Sequence, residues 1–277
     1  MDRTRDETAV TERRFFVAPA DAGPAGLTLR GDESHHARRA LRLREGDAVT
    51  CFDGAGRGWR GRIDRHSGDC TFVVIDSVVE PEVPTRPRVS LAQALVKGER
   101  MDLIVQKATE LGVGRIIPLI ADRSEVHLDT ERSEKRLERW RRIVIEAAKQ
   151  SERLTLPSIE TPRTLSELLA NSEEPVVALV ERDAHPIRIV LEELGAPEEV
   201  TVVVGPEGGW SDEERRLLEV SNAHCVSLGA GVLRAETAAI AGLAVVRYAL
   251  ERNPPTSPPK SAEGATGPEP LNETATR

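Results

Sequence analysis

The chain has 277 residues and a formal net charge of −8, a balance that argues against a uniformly cationic, nucleic-acid-coated surface. Aliphatic side chains must fill the interior, because aromatics are only 3% of the chain, and the length allows one large or two modest domains. No run approaches the roughly 18–20 apolar residues of a membrane helix, and the charged start Met1-Asp2-Arg3-Thr4-Arg5-Asp6-Glu7 precedes no apolar signal core. Cys51, Cys70 and Cys225 show no C-x-x-C spacing and no ligand-like arrangement with the six histidines. The expectation is a cytoplasmic protein with no membrane partner, no disulfide framework and no metal.

In chain order, Arg13-Arg14-Phe15-Phe16 reads as a first strand anchored by its phenylalanines. His35-His36-Ala37-Arg38-Arg39-Ala40-Leu41-Arg42-Leu43-Arg44 follows as one short cationic helix. Between His35 and Arg65 eight arginines (38, 39, 42, 44, 57, 60, 62, 65) face four acids (45, 47, 53, 64). Such a local excess suits RNA, since a guanidinium can grip phosphate or stack on an unpaired base. The β-like runs Ala48 to Phe52 and Cys70 to Ile75, with turns at Asp53-Gly54-Ala55-Gly56 and Ser67-Gly68-Asp69, suggest a small β-barrel over residues 13–80. Glu80 to Pro87 is a stiff, proline-rich linker.

Strands and helices then alternate: Val89 to Val96, a helix near Glu99 to Leu111, Ile116 to Ile120, a helix near Glu131 to Gln150, and Val176 to Val180. The alternation predicts an α/β domain over residues 88–252 with a mainly parallel sheet. Arginines recur from Arg132 to Arg153, where Glu134 and Glu138 allow them to be a solvated face with i,i+4 pairs. From Asn253 to Arg277 almost nothing can be buried, so a disordered tail is expected.

Two strand-to-glycine-turn-to-helix stretches carry the functional signal. In the first, Val200 to Val204 runs into Gly205-Pro206-Glu207-Gly208-Gly209-Trp210, and Ser211 with Glu214 three residues on marks a helix start. In the second, Leu228-Gly229-Ala230-Gly231-Val232-Leu233 leads through Arg234-Ala235-Glu236-Thr237 into a helix to Leu250, apolar nearly all round and therefore buried in the core or against another subunit. Loops at the carboxyl ends of strands in open α/β sheets are ligand sites. Neither stretch is a dinucleotide or P-loop motif. An arginine at 234, beside apolar neighbours, is costly to bury without an anion, whereas Glu236 in a first helical turn is equally explained by the helix dipole.

These loops resemble the bacterial 16S ribosomal RNA uridine-N3 methyltransferases of the SPOUT superfamily. The resemblance extends to Lys97-Gly98-Glu99-Arg100-Met101-Asp102, to Gln106 through Val113 and to Trp140 through Arg153, and spans roughly residues 13 to 250. It departs at Ala230-Gly231, where the family commonly has Pro-Arg or a similar pair. The resemblance implies a trefoil-knotted methyltransferase domain behind an N-terminal PUA-like barrel, with S-adenosylmethionine as cofactor. It also implies 16S ribosomal RNA or the small ribosomal subunit as partner, and a homodimer involving the last helix. General rules make a knot very improbable, so only the resemblance supports that expectation.

By the same resemblance Gly205, Glu207 and Gly208 form one cofactor wall, Leu228, Gly229, Leu233 and Thr237 the other, and Leu179 and Val180 a third contact. Arg234 would stabilise or orient the uracil, with Glu236 orienting Arg234 or the cofactor; a general-base role for Glu236 or Glu207 stays open. RNA contacts fall to Arg14, His36, Arg38, Arg39, Arg42 and Lys97. Two alternatives remain: the same fold acting on another RNA, such as a ribose hydroxyl of transfer RNA, and a non-catalytic RNA-binding assembly factor.

Overall fold

The structure, a computed structural model, describes residues 13–23, 26–83, 85–124, 130–181 and 184–251. The charged N-terminus and the tail expected from residue 253 lie outside the described residues. A first sheet comprises β1 (Arg14–Phe16), β2 (Ala22–Gly23), β3 (Gly26–Leu29), β4 (Ala48–Phe52), β5 (Gly58–Ser67) and β6 (Cys70–Val79). Its order is β1-β4-β5-β6-β3-β2, antiparallel except for the β1–β4 pair. Phe15, Leu27, Leu29, Val49, Cys51, Ile63 and Val73 fill its core.

Between β3 and β4 the cationic segment differs from expectation. Helix α1 (Gly31–His35) continues as a wider turn over His36–Ala40 and stops. Leu43 must reach the core; its amide turns back to the Ala37 carbonyl at 2.9 Å. That reversal places Arg42 at φ 53, a left-handed residue of the kind that ends helices.

The remaining elements are β7 (Arg88–Ala94), α2 (Glu99–Glu110), β8 (Arg115–Ile120), α3 (Thr130–Gln150), β9 (Ser158–Ile159), β10 (Arg163–Thr164), α4 (Leu165–Ala170), β11 (Val176–Leu179), β12 (His185–Pro186), α5 (Ile187–Leu194), β13 (Glu199–Val204), α6 (Asp212–Val220), β14 (His224–Ser227) and α7 (Ala235–Leu250). They build an eight-stranded sheet ordered β10-β8-β7-β13-β11-β14-β12, with β9 also on β8. Its strand pairings are all parallel among the described residues. Side-chain alternation splits β13: Val200, Val202 and Val204 enter the layer shared with α2, α3 and α7, while Val203 enters the layer holding Ala178 and Trp210. Burial on both faces is why the strand reads as a continuous β-branched run, Val200-Thr201-Val202-Val203-Val204. The last helix is buried on one side only. Ala239, Leu243 and Val246 pack inward, while Val245 is partly exposed and Tyr248 is 91% exposed.

The two sheets meet across a mixed seam. Phe16, Phe52, Val79, Ala148, Leu154 and Leu156 form a small apolar cluster there. Lys149 Nζ on α3 lies 2.7 Å from Glu33 on α1. Glu82, in the segment expected to be a stiff linker, accepts from the Leu154 and Thr155 amides and the Thr155 hydroxyl, each at 2.9 Å, and pairs with Arg153. Arg14 belongs to this seam. Its Nη2 donates to the carbonyls of Glu152 and Arg153, and its guanidinium lies over the Phe52 ring, so the structure turns toward the protein an arginine expected to face RNA. A parallel strand beside β4 delivers the side chain to the end of α3.

At the amino edge of the parallel sheet, Glu174 accepts from the Thr201 hydroxyl and from Arg115 Nη2, both at 2.7 Å, and Arg115 Nε reaches Ser90. Burial pushes the Glu174 carboxyl up, but the Thr201 hydroxyl, backbone amides and Arg115 outweigh it and hold the group below its ordinary value. A depressed carboxyl contributes stability above its unfolded value of 4.5 and loses it as the pH falls further. Glu174→Gln is therefore expected to cost about 1 kcal/mol at neutral pH and to flatten the acid limb of the stability curve. Denaturant midpoints between neutral and acid pH measure both effects.

Candidate active site

Three adjacent central strands end at one cavity. Leu179 ends β11 and Val180 follows it, Val204 leads into the loop 205–209 after β13, and Val226 and Ser227 end β14 with Leu228 next. Leu233, Arg234, Ala235 and Ala238, at the start of α7, supply the fourth side of a space of about 520 Å3. The position outside the carboxyl ends of parallel strands is the one where such sheets bind ligands, and the volume is that of a cofactor pocket, roughly 300–1,000 Å3.

The glycine loop has its shape for identifiable reasons. A Cβ on Gly205 would lie 3.0 Å from the Trp210 ring; Trp210 is buried and donates its indole N–H to the Leu179 carbonyl at 3.3 Å. Gly209 has φ 67 and donates to the Pro206 carbonyl at 3.0 Å, a turn that favours glycine. Ser211 and Glu214 form the expected reciprocal cap of α6. Glu214 also accepts from the Asp122 amide, and Ser211 Oγ donates to Asp122. This contact fixes the segment after β8 and brings Arg123 Nη1 within 3.4 Å of the Gly208 carbonyl. A Cβ on Gly208 would meet Arg123 Cβ at 3.1 Å and its carbonyl oxygen at 3.2 Å. Gly208→Val is therefore expected to push the loop off that segment and weaken ligand binding about tenfold, by loss of preorganisation rather than of a contact; calorimetric titration would measure it.

Of the residues anticipated from sequence, Leu179, Val180, Gly205, Glu207, Gly208, Leu228, Leu233 and Arg234 line the cavity, whereas Gly229, Glu236 and Thr237 are not among its lining residues. Helical geometry explains the last two. At 3.6 residues per turn Ala235 and Ala238 share a side, and the two positions between them point elsewhere. Thr237 is exposed. Glu236 has a buried Oε2 without a hydrogen-bond partner, and no bond joins it to Arg234 among the described residues. Gly229 shapes the β14 loop: at φ 139, its amide and carbonyl are both tied to the Ser227 hydroxyl.

Arg234 is not buried, contrary to the premise that burial would demand an anion; it is exposed at the mouth of α7. No ion pair or hydrogen bond engages its guanidinium among the described residues. Gly231 also borders the cavity, and a Cβ there would meet nothing within 4 Å, so the pair that departs from the family pattern leaves room rather than strain. Residues not singled out from sequence complete the lining, including Arg100, Arg123, Glu181, Trp210 and Arg215. Four arginines and two glutamates thus surround the space, with Arg100 already paired to Glu207. Trp210 and Arg100 lie in motif stretches; Arg123 and Arg215 carry no local signal, because only folding brings them to this wall.

The anticipated RNA contacts are dispersed. Lys97 is exposed, and its amide reaches Glu207 at 3.4 Å. His36, Arg38, Arg39 and Arg42 are exposed on the first module. His36 packs obliquely on Phe15, and Arg38 donates to the Gly68 carbonyl. Arg57, Arg62 and Arg65 pair with Asp53, Asp76 and Asp64, so the cationic excess is partly neutralised within the module. Cys225 packs by the second core layer, where burial and then Glu219 push its thiol up against the opposing Arg215. Burial raises Cys51 to about 12. Neither thiol is poised as a nucleophile. No cluster of three potential metal ligands and no helix long and apolar enough to cross a membrane occur among the described residues.

Comparison with known proteins points the same way. The family model described as an RNA methyltransferase domain matches residues 83–247, and one described as an RNA methyltransferase PUA domain matches residues 29–73. The ribosomal RNA small subunit methyltransferase E of a Synechocystis strain is 36% identical, covering 86% of this chain and 78% of the relative. The Bacillus subtilis protein of the same name is 33% identical, covering 87% and 95%. A methyltransferase structure from Legionella pneumophila, solved with bound SAM, superposes with a TM-score of 0.82 at 33% identity, covering 88% of this chain and all of that one. A ribosomal RNA small subunit methyltransferase E from Neisseria gonorrhoeae bound to S-adenosyl methionine gives 0.77 at 28%, covering 87% and 98%.

Proposed function

Because the chain belongs to the ribosomal RNA small subunit methyltransferase E family, we propose that it methylates N3 of one uridine in 16S ribosomal RNA. The broader activity is transfer of a methyl group from S-adenosylmethionine to ribosomal RNA. The observation that carries the reading is the cavity at the ends of β11, β13 and β14, with the exposed Arg234 at its rim. Its glycine wall fits the cofactor: Gly205 and Gly208 let the backbone pass where side chains would collide with Trp210 and Arg123. Leu179, Val180, Leu228 and Leu233 offer apolar surface for an adenosine, and the amides of loop 205–209 offer polar contacts.

When bound, the cofactor supplies a methyl group already activated by its sulfonium charge. The protein's part is positioning, which makes the reaction effectively intramolecular. As the N3 proton passes to solvent water, Arg234 stabilises the negative charge that grows on the uracil, poising the nitrogen to take the methyl group. Glu236 holds its carboxylate at the base of α7 and does not touch Arg234 in this arrangement. Glu207, engaged by Arg100 and the Lys97 amide, shapes the wall.

Residues 13–80 serve as the RNA-binding module, with His36, Arg38, Arg39 and Arg42 toward the substrate, and residues 88–252 as the knotted SPOUT domain. The half-exposed face of α7, with Val245 and Tyr248 outward, supports a homodimer built on that helix. Mass-spectrometric nucleoside mapping of 16S ribosomal RNA with and without the protein tests the function. One N3-methyluridine is expected to vanish on deletion and to return with the wild-type chain; an unchanged map overturns the assignment.

A further inference from the structure

We propose that Arg100 is a positioning residue that locks the cofactor loop through Glu207. Arg100 Nη1 donates to Glu207 Oε1 at 2.9 Å, and the same oxygen receives the Lys97 amide at 3.4 Å. The carboxylate thus sits at the N-terminus of the twelve-residue helix α2, whose first residues follow Gly98 at φ 64 with no side-chain cap of their own. A helix N-terminus and a guanidinium both favour an anion, and here the anion comes from a loop more than a hundred residues away in the chain. Among residues 205–209, three are glycines, and glycines lose the most conformational freedom on being ordered. A loop so composed needs an external brace to hold one conformation before a ligand arrives. Glu207 supplies the handle on one side, and the Arg123 to Gly208 carbonyl contact supports the other.

The inference rests on the methyltransferase reading for its ligand but not for its geometry. The pair is partly exposed, at 47% for Arg100 and 28% for Glu207, so its coupling is that of a screened surface pair. Arg100→Ala is expected to weaken binding of S-adenosylhomocysteine about three- to tenfold. It should raise KM for the cofactor while leaving kcat and the RNA KM near wild type. Arg100→Lys should recover most of the loss.

Because Arg100 also borders the cavity, the decisive comparison is with Glu207→Ala. If Arg100 acts through Glu207, adding Arg100→Ala to Glu207→Ala changes affinity no further. A persistent loss in the double variant would make Arg100 a direct ligand contact and overturn the proposal. Calorimetric titration of the full chain with S-adenosylhomocysteine is paired with hydrogen exchange of the ligand-free protein over residues 205–210. Faster exchange in Arg100→Ala supports the brace, and unchanged exchange overturns it. Absence of binding by the wild type would overturn the functional reading, and the exchange result would still decide what Arg100 does.

Discussion

Arg234→Ala is expected to lower the single-turnover rate of methyl transfer about 100- to 1,000-fold, the usual consequence of removing one donor from a developing anion. Cofactor affinity and melting temperature should stay near wild type. Both halves of that expectation come from the same geometry. The side chain stands exposed at the cavity rim with no ion pair or hydrogen bond among the described residues, so its loss strands no buried group and opens no void. It precedes α7 as its N-cap residue but makes no side-chain cap, so the helix start loses nothing. The alternative, in which residue 234 only builds the wall, predicts near-wild-type turnover. Rapid-quench kinetics with saturating cofactor, alongside a thermal melt, separates the two outcomes, and Arg234→Lys should recover part of the rate.

Lys149→Met is expected to destabilise the fold by about 3 kcal/mol, because it strands a buried carboxylate. Lys149 and Glu33 are only 10% and 14% exposed, and Glu33 also accepts from the Phe16 amide. Burial pushes the Glu33 carboxyl up, and the charge of Lys149 only partly offsets it. Without the lysine that carboxyl rises further. The variant should therefore be least stable at neutral and high pH and recover as the pH falls and Glu33 takes a proton. Adding Glu33→Gln should restore much of the loss. Because this pair joins α1 of the first module to α3 of the second, the RNA KM should rise as well. Denaturant titrations across pH and steady-state kinetics provide the two measurements.

Much of the second module was legible in the sequence because its strands are buried on both faces. Runs such as Val200 to Val204 and Val176 to Val180 need no pairing information to be recognised, and the Ser211–Glu214 cap and the Ala235 to Leu250 helix follow from local chemistry. Their failures are equally local in origin. The cationic stretch from His35 looked like one helix, but the requirement to bury Leu43 bends the chain at Arg42. Arg14 looked like a substrate contact, yet the parallel pairing of β1 with β4 carries it to the end of α3, where its guanidinium donates to the Glu152 and Arg153 carbonyls. The family resemblance implied site roles for Glu236 and Thr237, but the cavity is lined from α7 by Ala235 and Ala238, which share a helical side that those two positions do not.

The sequence by itself determined the α/β alternation, the two glycine turns, the helix caps and the family to which the loops belong, because each depends on residues within one or two turns of one another. Only the tertiary structure decided which side chains share the cavity. Parallel strands meet their neighbours through long crossovers, so Arg100, Arg123 and Glu207 come together from segments up to about a hundred residues apart, and no local pattern encodes that meeting.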